Sequence, residues 1–309
     1  MHQSQPLRYE DNSVTSFITS RTINSRLWFV NNKTLENRIL GYLAKYVEKY
    51  KVVLYGANMQ GNHVHLAAYF PINKRSEFMR DLNARTAEAV RYTVEEFPGG
   101  PLFERRYSVQ AVLEEGDVED RFFYCALQPV KAGLCQKISD YPGYNSFSDA
   151  VSGIPRKYKV IDWAEYNKRK AYNSKLNIKD FTTYHTLSFT RLPGYEQLSQ
   201  QDYKKLMLQR LETRRVELVR KNLADGVVYQ DPSWLKDVKP GSLPYSTKKS
   251  KRYDKRPLVF SLNPEAKAAY LDNYFSVYAQ YKKASKAYFQ GELAVFPPGT
   301  YKPPCFFVP

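Results

Sequence analysis

The sequence has few cysteines and no long apolar segment. Its three cysteines among 309 residues are odd in number and form no C-x-x-C pair, which argues against a disulfide framework and a zinc knuckle. They are Cys125, Cys135 and Cys305. No segment approaches the roughly 18 uninterrupted apolar residues of a membrane span, and the first five residues show no signal-peptide pattern. We therefore expect a soluble, cytoplasmic protein without membrane contact.

Acidic residues are scarce in the second half of the chain. Residues 1–150 contain 18 Lys and Arg against 17 Asp and Glu, whereas residues 151–309 contain 29 against 14. The two parts therefore carry +1 and +15 of the formal net charge of +16. A basic segment rich in tyrosine favours a polyanionic partner, with cations for phosphates and rings for bases. A solvated basic surface is the alternative interpretation.

The pattern of apolar residues in the first half predicts a ferredoxin-like α+β domain. Strands are predicted over residues 13–20, 52–55, 63–70 and 107–113, and helices over residues 35–50, 76–96 and 118–127. The order strand, helix, strand, strand, helix, strand, helix is typical of an antiparallel sheet backed by helices. We assign this domain to residues 1–150.

The second part, residues 151–309, is predicted to be a basic, largely helical C-terminal extension. Apolar residues at helical spacing predict helices over residues 199–223 and 264–289. Non-helical segments are predicted as a linker or surface arm over 154–183, a basic loop over 236–256 and an extended tail over 296–309. Tyrosines recur at helical spacing in the last helix, a stripe more typical of packing than of base stacking: Tyr270, Tyr274, Tyr278 and Tyr281.

Two of the four histidines lie two residues apart, at the start of the second strand of a predicted hairpin. Side chains alternate along a strand, so His63 and His65 share one face while Val64 and Leu66 face a core. Two imidazoles side by side form a chelate for one divalent metal ion. The alternative is a pair of hydrogen-bonded structural histidines, and a third element has to decide.

Tyr124 and Gln128 supply that element, at the end of the last helix of the first domain. They are four residues apart, so a helix presents the phenol and the amide on one face about one turn apart. Pro129 makes this approximate, because the residue before a proline is biased away from helical geometry. If that face lies on the sheet, a phenol, an amide and two imidazoles converge.

These motifs together resemble the single-tyrosine HUH transposases, which include the transposases of the smallest bacterial insertion sequences and the REP-associated tyrosine transposases. The resemblance covers roughly residues 13–150. It rests on N-H-V-H-L at 62–66, G-P-L-F-x-R-R-Y at 100–107, Y-x-x-x-Q-P-V-x-A-G-L at 124–134 and D-Y-P at 140–142. Gln60-Gly61 replaces the usual Met-Pro before the histidines, and Gln128 stands where REP-associated relatives more often have Asn.

The resemblance implies that His63, His65 and Gln128 bind Mg²⁺ or Mn²⁺ and that Tyr124 is the nucleophile. Such an enzyme cuts single-stranded DNA by forming a 5′-phosphotyrosine and a free 3′-OH, and it rejoins ends without ATP. The resemblance also implies hairpin-bearing DNA ends as the partner, bound by the basic extension. It further implies a bacterial, nucleoid-associated protein that is either a monomer or a homodimer. The candidate phosphate-binding residues are Arg105, Arg106 and Lys131, for which a solvated surface is the alternative.

Other residues and other functions rank lower. Tyr107 and Tyr92 are the fallback nucleophiles, and His185 is interpreted as a structural or surface histidine. A second function is a domesticated protein that binds DNA or RNA hairpins without cutting. A third is a replication initiator or conjugative relaxase, against which stand the missing third histidine, the missing second tyrosine in the active-site helix and the missing glycine-rich P-loop.

Overall fold

The computed structural model describes residues 7–173, 175–244 and 256–303. The first half contains β1 (Thr15–Arg21), α1 (Lys33–Lys49), β2 (Val53–Gln60), β3 (His63–Tyr69), α2 (Arg75–Thr93), β4 (Ser108–Val112), α3 (Glu115–Ala126) and α4 (Gln128–Lys131). The second half contains α5 (Phe147–Ser152), β5 (Arg156–Ile161), α6 (Trp163–Lys170), β6 (Thr182–Leu187), α7 (Gln200–Ala224), α8 (Pro232–Asp237), β7 (Leu258–Phe260) and α9 (Pro264–Phe289).

The main sheet has the strand order β2-β3-β1-β4-β7. Its first four strands pair antiparallel, with β1 between β3 and β4, which is the predicted ferredoxin-like arrangement. The extension adds a fifth strand, β7, which pairs parallel with β4 at one edge. A parallel neighbour needs a long connection rather than a tight turn, and here that connection is most of the second half of the chain.

The sheet separates two hydrophobic cores. On one face Ile18 packs beneath α1 and α2, and on the other Phe17 packs beneath α3, α5 and α7. Leu66 lies in the first core, so the alternation along β3 turns the His63 and His65 side chains to the second face. This confirms the prediction that the two imidazoles share one face of a strand.

Residues 154–183 do not form the predicted linker or surface arm. β5 and β6 make a two-stranded antiparallel hairpin, α6 lies between them in the chain, and the hairpin packs against α1. Its two buried apolar anchors are Val160 and Leu187. This hairpin is hard to predict from the sequence for two reasons. Residues 162–181 separate its strands, so no short turn indicates the pairing, and its outer face is polar.

The two long helices of the extension lie where they were predicted. Among the stripe tyrosines of α9, Tyr274 is buried, stacks on Tyr278 and meets Tyr9 edge to face, which favours the packing interpretation. α7 enters the second core, so the parts on either side of residue 150 share that core, while their division into two domains stays a prediction. None of the helices in the described ranges is long and apolar enough to cross a membrane.

Several sequence predictions fall partly outside the described residues. Residues 245–255 of the basic loop and residues 304–309 of the tail, which include Cys305, lie there. The described part of the tail, residues 296–303, contains no helix or strand, in line with the predicted extended segment. Cys125 and Cys135 are both buried and free.

Candidate active site

The turn between β2 and β3 places the two histidines at the end of the hairpin. It contains Gly61, where a Cβ would lie 2.8 Å from Val30 Cγ1 and 2.9 Å from Leu27 Cδ2, so a larger residue would displace this packing. In the sheet register His63 lies between Arg21 of β1 and Gln60 of β2, and His65 lies between Thr19 and Asn58. Residues directly opposite one another share a face, so these side chains surround the imidazoles.

His63 is held in one tautomer by its neighbour. Its Nδ1 lies 2.6 Å from Asn62 Oδ1, while Asn62 Nδ2 donates to the carbonyl oxygen of Ser25 at 3.0 Å. The second bond fixes the orientation of the amide, so Oδ1 must accept and His63 Nδ1 must donate. The Nε2 lone pair of His63 is therefore left for a ligand, in the way that outer hydrogen bonds orient metal-binding histidines.

His65 is fixed by a hydroxyl and by an aromatic ring. Its Nδ1 lies 2.9 Å from Thr19 Oγ1, and its ring stacks on Phe17 with the centroids 5.2 Å apart. The His63 and His65 rings meet edge to face with their centroids 4.6 Å apart. The two imidazoles thus lie side by side with both Nδ1 atoms engaged, as a two-nitrogen chelate requires.

Both imidazoles are neutral at pH 7. Burial lowers the pKa of His63 to about 4, helped by the positive charge of Arg21. Burial also lowers the pKa of His65 well below its ordinary value, with further lowering from His63 and Lys131 and an opposing hydrogen bond from the Gln128 side chain. Neutral imidazoles keep the lone pairs that bind metal ions.

The lowered pKa of His63 predicts a loss of stability in acid. Because the folded protein resists protonation at this site and the unfolded chain does not, the unfolded state binds more protons as the pH falls from about 6.5 to about 4. Without added metal, the contribution of His63 should lower the free energy of unfolding by about 3 kcal/mol over that range. Urea unfolding at both pH values checks this, and His63→Gln should show a smaller fall than the wild type; an equal fall in both would contradict it.

The nucleophile candidate comes from α3, which covers the histidine face of the sheet. A capping box of Glu114 and Asp117 starts this helix. Tyr124 is half-buried, and its ring lies edge-on to Phe17 and to His65, with centroid separations of 5.5 and 6.3 Å. The phenol therefore stands beside the imidazole pair.

Gln128 reaches the same place from a separate helix. α3 ends at Ala126, Leu127 leaves helical geometry, and Gln128 begins the four-residue α4 with Pro129 behind it. Tyr124 and Gln128 therefore do not lie on one continuous helix. The helix is interrupted just before Pro129, as the proline predicts. The Gln128 side chain is buried nevertheless and hydrogen-bonds His65, so the structure brings all four predicted residues together.

Cations surround the phenol. Lys131 Nζ lies 4.2 Å from the centroid of the Tyr124 ring, and Arg121 lies over the same ring at 4.6 Å. Arg121 also lies over the Phe260 ring of β7, 3.6 Å from its centroid. The extension therefore contributes a residue to the surroundings of Tyr124. The sequence analysis missed Arg121. It precedes Tyr124 by three residues, and on a helix this spacing predicts that the two side chains are neighbours.

The other predicted cations lie at the margin. Arg105 and Arg106 are exposed, directly after Glu104, whose backbone N–H donates to the carbonyl oxygen of Arg21 at 3.0 Å. Their segment therefore runs beside the end of β1, next to His63 in the register. Their role in DNA binding stays a prediction. Arg21 itself was missed, because only the strand register reveals it.

The fallback residues lie away from the histidine pair. Tyr107 packs against the first core, and its hydroxyl lies 3.3 Å from Ser76 Oγ. Tyr92 is 68% exposed on α2, which covers the opposite face of the sheet. His185 Nδ1 lies 2.8 Å from Glu48 Oε2 on α1, which fits the structural role predicted for it.

The donor set at the site suits a divalent metal ion. Within the described ranges, no group of three or more His, Cys, Asp or Glu side chains is placed to hold a metal, so the Gln128 amide is the candidate third ligand beside His63 and His65. Buried amide atoms around the pair have no hydrogen-bond partner among the described residues: both polar atoms of Asn58, Gln60 Nε2 and Gln128 Nε2. Asn58 Oδ1 would accept a hydrogen bond from an ion-bound water, and the three amide nitrogens would donate to waters or to phosphate oxygens.

Part of the chain matches the model of a known family. Residues 18–121 match the family model described as "Transposase IS200 like". The matched segment runs from β1 into α3, contains His63 and His65, and ends three residues before Tyr124. Residues 18–121 of the chain are therefore similar to the IS200-like transposases.

One solved structure is similar to part of the chain. It is described as "Structure of the REP associates tyrosine transposase bound to a REP hairpin", and it shares 17% sequence identity at a TM-score of 0.41. The similarity covers 57% of this chain and 90% of that chain. No curated protein matches the chain.

Proposed function

We propose that the chain is a single-strand-specific DNA nickase and ligase of the transposase type, with Tyr124 as its nucleophile. The observation that supports this most is the convergence of the Tyr124 phenol with His63, His65 and the Gln128 amide at one face of the sheet. The three ligand candidates come from two elements distant in the chain, and a hydrogen-bond network fixes the histidines. A structural histidine pair would need neither the neighbouring phenol nor the cations around it.

The proposed step exchanges one phosphoester for another. The Tyr124 oxygen forms a bond to phosphorus while the bond between phosphorus and the 3′ oxygen breaks. The phenol proton passes to solvent, and the departing 3′ oxygen takes up a proton and leaves as a free hydroxyl. The product is a 5′-phosphotyrosine, which a new 3′-OH attacks in the reverse reaction, so strands are joined without ATP.

The residues around Tyr124 would bind and orient the phosphate. Lys131 and Arg121, both at the ring of Tyr124, would attract the phosphodiester to the phenol. His63, His65 and Gln128 would hold Mg²⁺ or Mn²⁺, and the imidazoles favour Mn²⁺ because Mg²⁺ prefers oxygen ligands. A divalent ion held there would supply positive charge against the negative charge that develops at phosphorus.

The proposed partner is single-stranded DNA that carries a hairpin, bound in part by the extension. Residues 151–309 carry +15 of the net charge, so binding should release counterions. If the protein contacts four phosphates, raising the salt concentration from about 50 to about 200 mM would weaken the affinity roughly a hundredfold. Fluorescence anisotropy with a labelled hairpin oligonucleotide measures this, and an affinity independent of salt would contradict the proposed role of the extension.

A covalent-capture experiment tests the proposed function. The full chain is incubated with Mn²⁺ and either a hairpin-bearing single strand or a fully paired duplex of the same sequence, and the products are separated on a denaturing gel. We expect a protein–DNA species that withstands denaturation, with the single strand only. Tight hairpin binding without any covalent species would instead support the domesticated binding protein.

A further inference from the structure

The helix that carries Tyr124 is held by α7 through an ionic cluster in which the carboxylate is buried and the arginines are half-buried. Glu119, one turn and a half before Tyr124 on α3, is buried, and its carboxylate accepts from Arg210 Nη1 at 2.5 Å and from Arg214 Nη2 at 3.3 Å. The Tyr195 hydroxyl also donates to this carboxylate. Removing one partner from a buried ion pair is far more disruptive than removing an exposed one, because the other charge stays buried.

A second ion pair and a ring contact extend the same contact surface. Arg214 Nη1 lies 2.6 Å from Asp120 Oδ1, and the Arg214 guanidinium lies over the Phe123 ring at 4.7 Å. One arginine of α7 therefore touches two acidic residues and one aromatic residue of α3. Beneath these contacts, Met207 and Leu211 are buried in the core that also contains Phe123.

The far end of α7 holds α4, which carries Gln128. Asn222 is buried, and its Nδ2 donates to the carbonyl oxygen of Val130 at 2.9 Å, two residues beyond Gln128. Between Arg210 and Asn222 a helix advances about 18 Å, since each residue adds about 1.5 Å. α7 thus spans both elements that bring side chains to the histidine pair.

β7 and the residues after it hold the other end of α3. The backbone N–H of Leu262 donates to Asp117 Oδ1 at 2.8 Å, and Asn263 Nδ2 donates to Glu114 Oε1 at 3.1 Å. The start, the middle and the end of the α3–α4 pair are therefore all fixed by the C-terminal extension of the same chain.

We infer that α7 is the positioning element of the active site, with Arg210 and Arg214 as positioning residues. This rests on the proposed function for its catalytic consequence. The placement of α3 by α7 is independent of that function.

The placement is tested with Arg214→Ala, with Arg220→Ala as the control that removes the same charge from an exposed position on the same helix. Hydrogen exchange followed by mass spectrometry should show faster exchange in residues 115–131 of Arg214→Ala, about tenfold or more, with β1 to β3 unchanged and with recovery in Arg214→Lys. Unchanged exchange in residues 115–131, or equal exchange in both alanine variants, would overturn the inference. This readout needs no DNA and no activity.

The catalytic consequence has its own readout. With saturating oligonucleotide, Arg214→Ala should form the covalent species about tenfold more slowly than the wild type while its Kd for hairpin DNA stays the same. A weakened Kd with an unchanged rate would contradict a positioning role. If the wild type itself forms no covalent species, the proposed function fails, and hydrogen exchange still decides the placement of α3.

Discussion

Tyr124→Phe should abolish the covalent protein–DNA species. Phenylalanine keeps the ring that packs edge-on against Phe17 and His65 but lacks the oxygen that bonds to phosphorus. Removing a nucleophile from a site that acts as a unit costs several orders of magnitude, so we expect a loss of more than about a thousandfold in the rate of adduct formation. A denaturing gel with an end-labelled oligonucleotide and Mn²⁺ measures it.

Tyr107→Phe is the matched control for this variant. Tyr107 is also half-buried, but it packs against the opposite core and its hydroxyl lies near Ser76. This variant should form the covalent species at the wild-type rate. An undiminished adduct in Tyr124→Phe, or an adduct lost only in Tyr107→Phe, would remove Tyr124 from the reaction.

His63→Ala and His65→Ala should each lower the metal-dependent cleavage rate by more than about a hundredfold. Each substitution removes one of the two imidazoles of the candidate metal site, whose Nδ1 atoms are already engaged. Affinity for hairpin DNA without metal should change little, because phosphate contacts elsewhere provide it. Titration of the protein with Mn²⁺, followed by calorimetry, should show that the site is lost in both variants.

His185→Ala is the control for the histidine variants. Its imidazole bonds Glu48 of α1 and Thr183 of its own strand, away from the active-site face. The variant should keep both the Mn²⁺ isotherm and the cleavage rate. A wild-type isotherm in the double variant of His63 and His65 would show that the metal binds elsewhere.

The first half of the fold was predictable because its signals are local. Alternation along β3 determines which face receives His63, and helical spacing covers α1, α2 and α3 within a few residues of their ends. The second half was predictable only in its long helices. The β5–β6 hairpin and the parallel strand β7 depend on contacts between distant segments, and β7 has three residues, too few for a pattern.

The sequence predicted which residues come together at the candidate site but not the residues that surround them. His63, His65, Tyr124 and Gln128 carry recognisable spacings, and Arg121 lay within reach of the same helical argument. The position of Arg21 beside His63 could be recognised only from the strand register. Glu119 and its arginine partners on α7 were out of reach, since no local pattern joins two helices that lie about 90 residues apart in the chain.

The linkage of DNA to a particular tyrosine is the most direct test of this account. The full chain is incubated with Mn²⁺ and a hairpin-bearing single strand, the DNA is digested to a nucleotide, and the peptides are sequenced by mass spectrometry. The account predicts a nucleotide joined through its 5′ phosphate to the peptide that contains Tyr124, and a released strand that ends in a 3′-OH. A nucleotide on Tyr92, on Tyr107 or on any other residue, or a linkage through a 3′ phosphate, would contradict it.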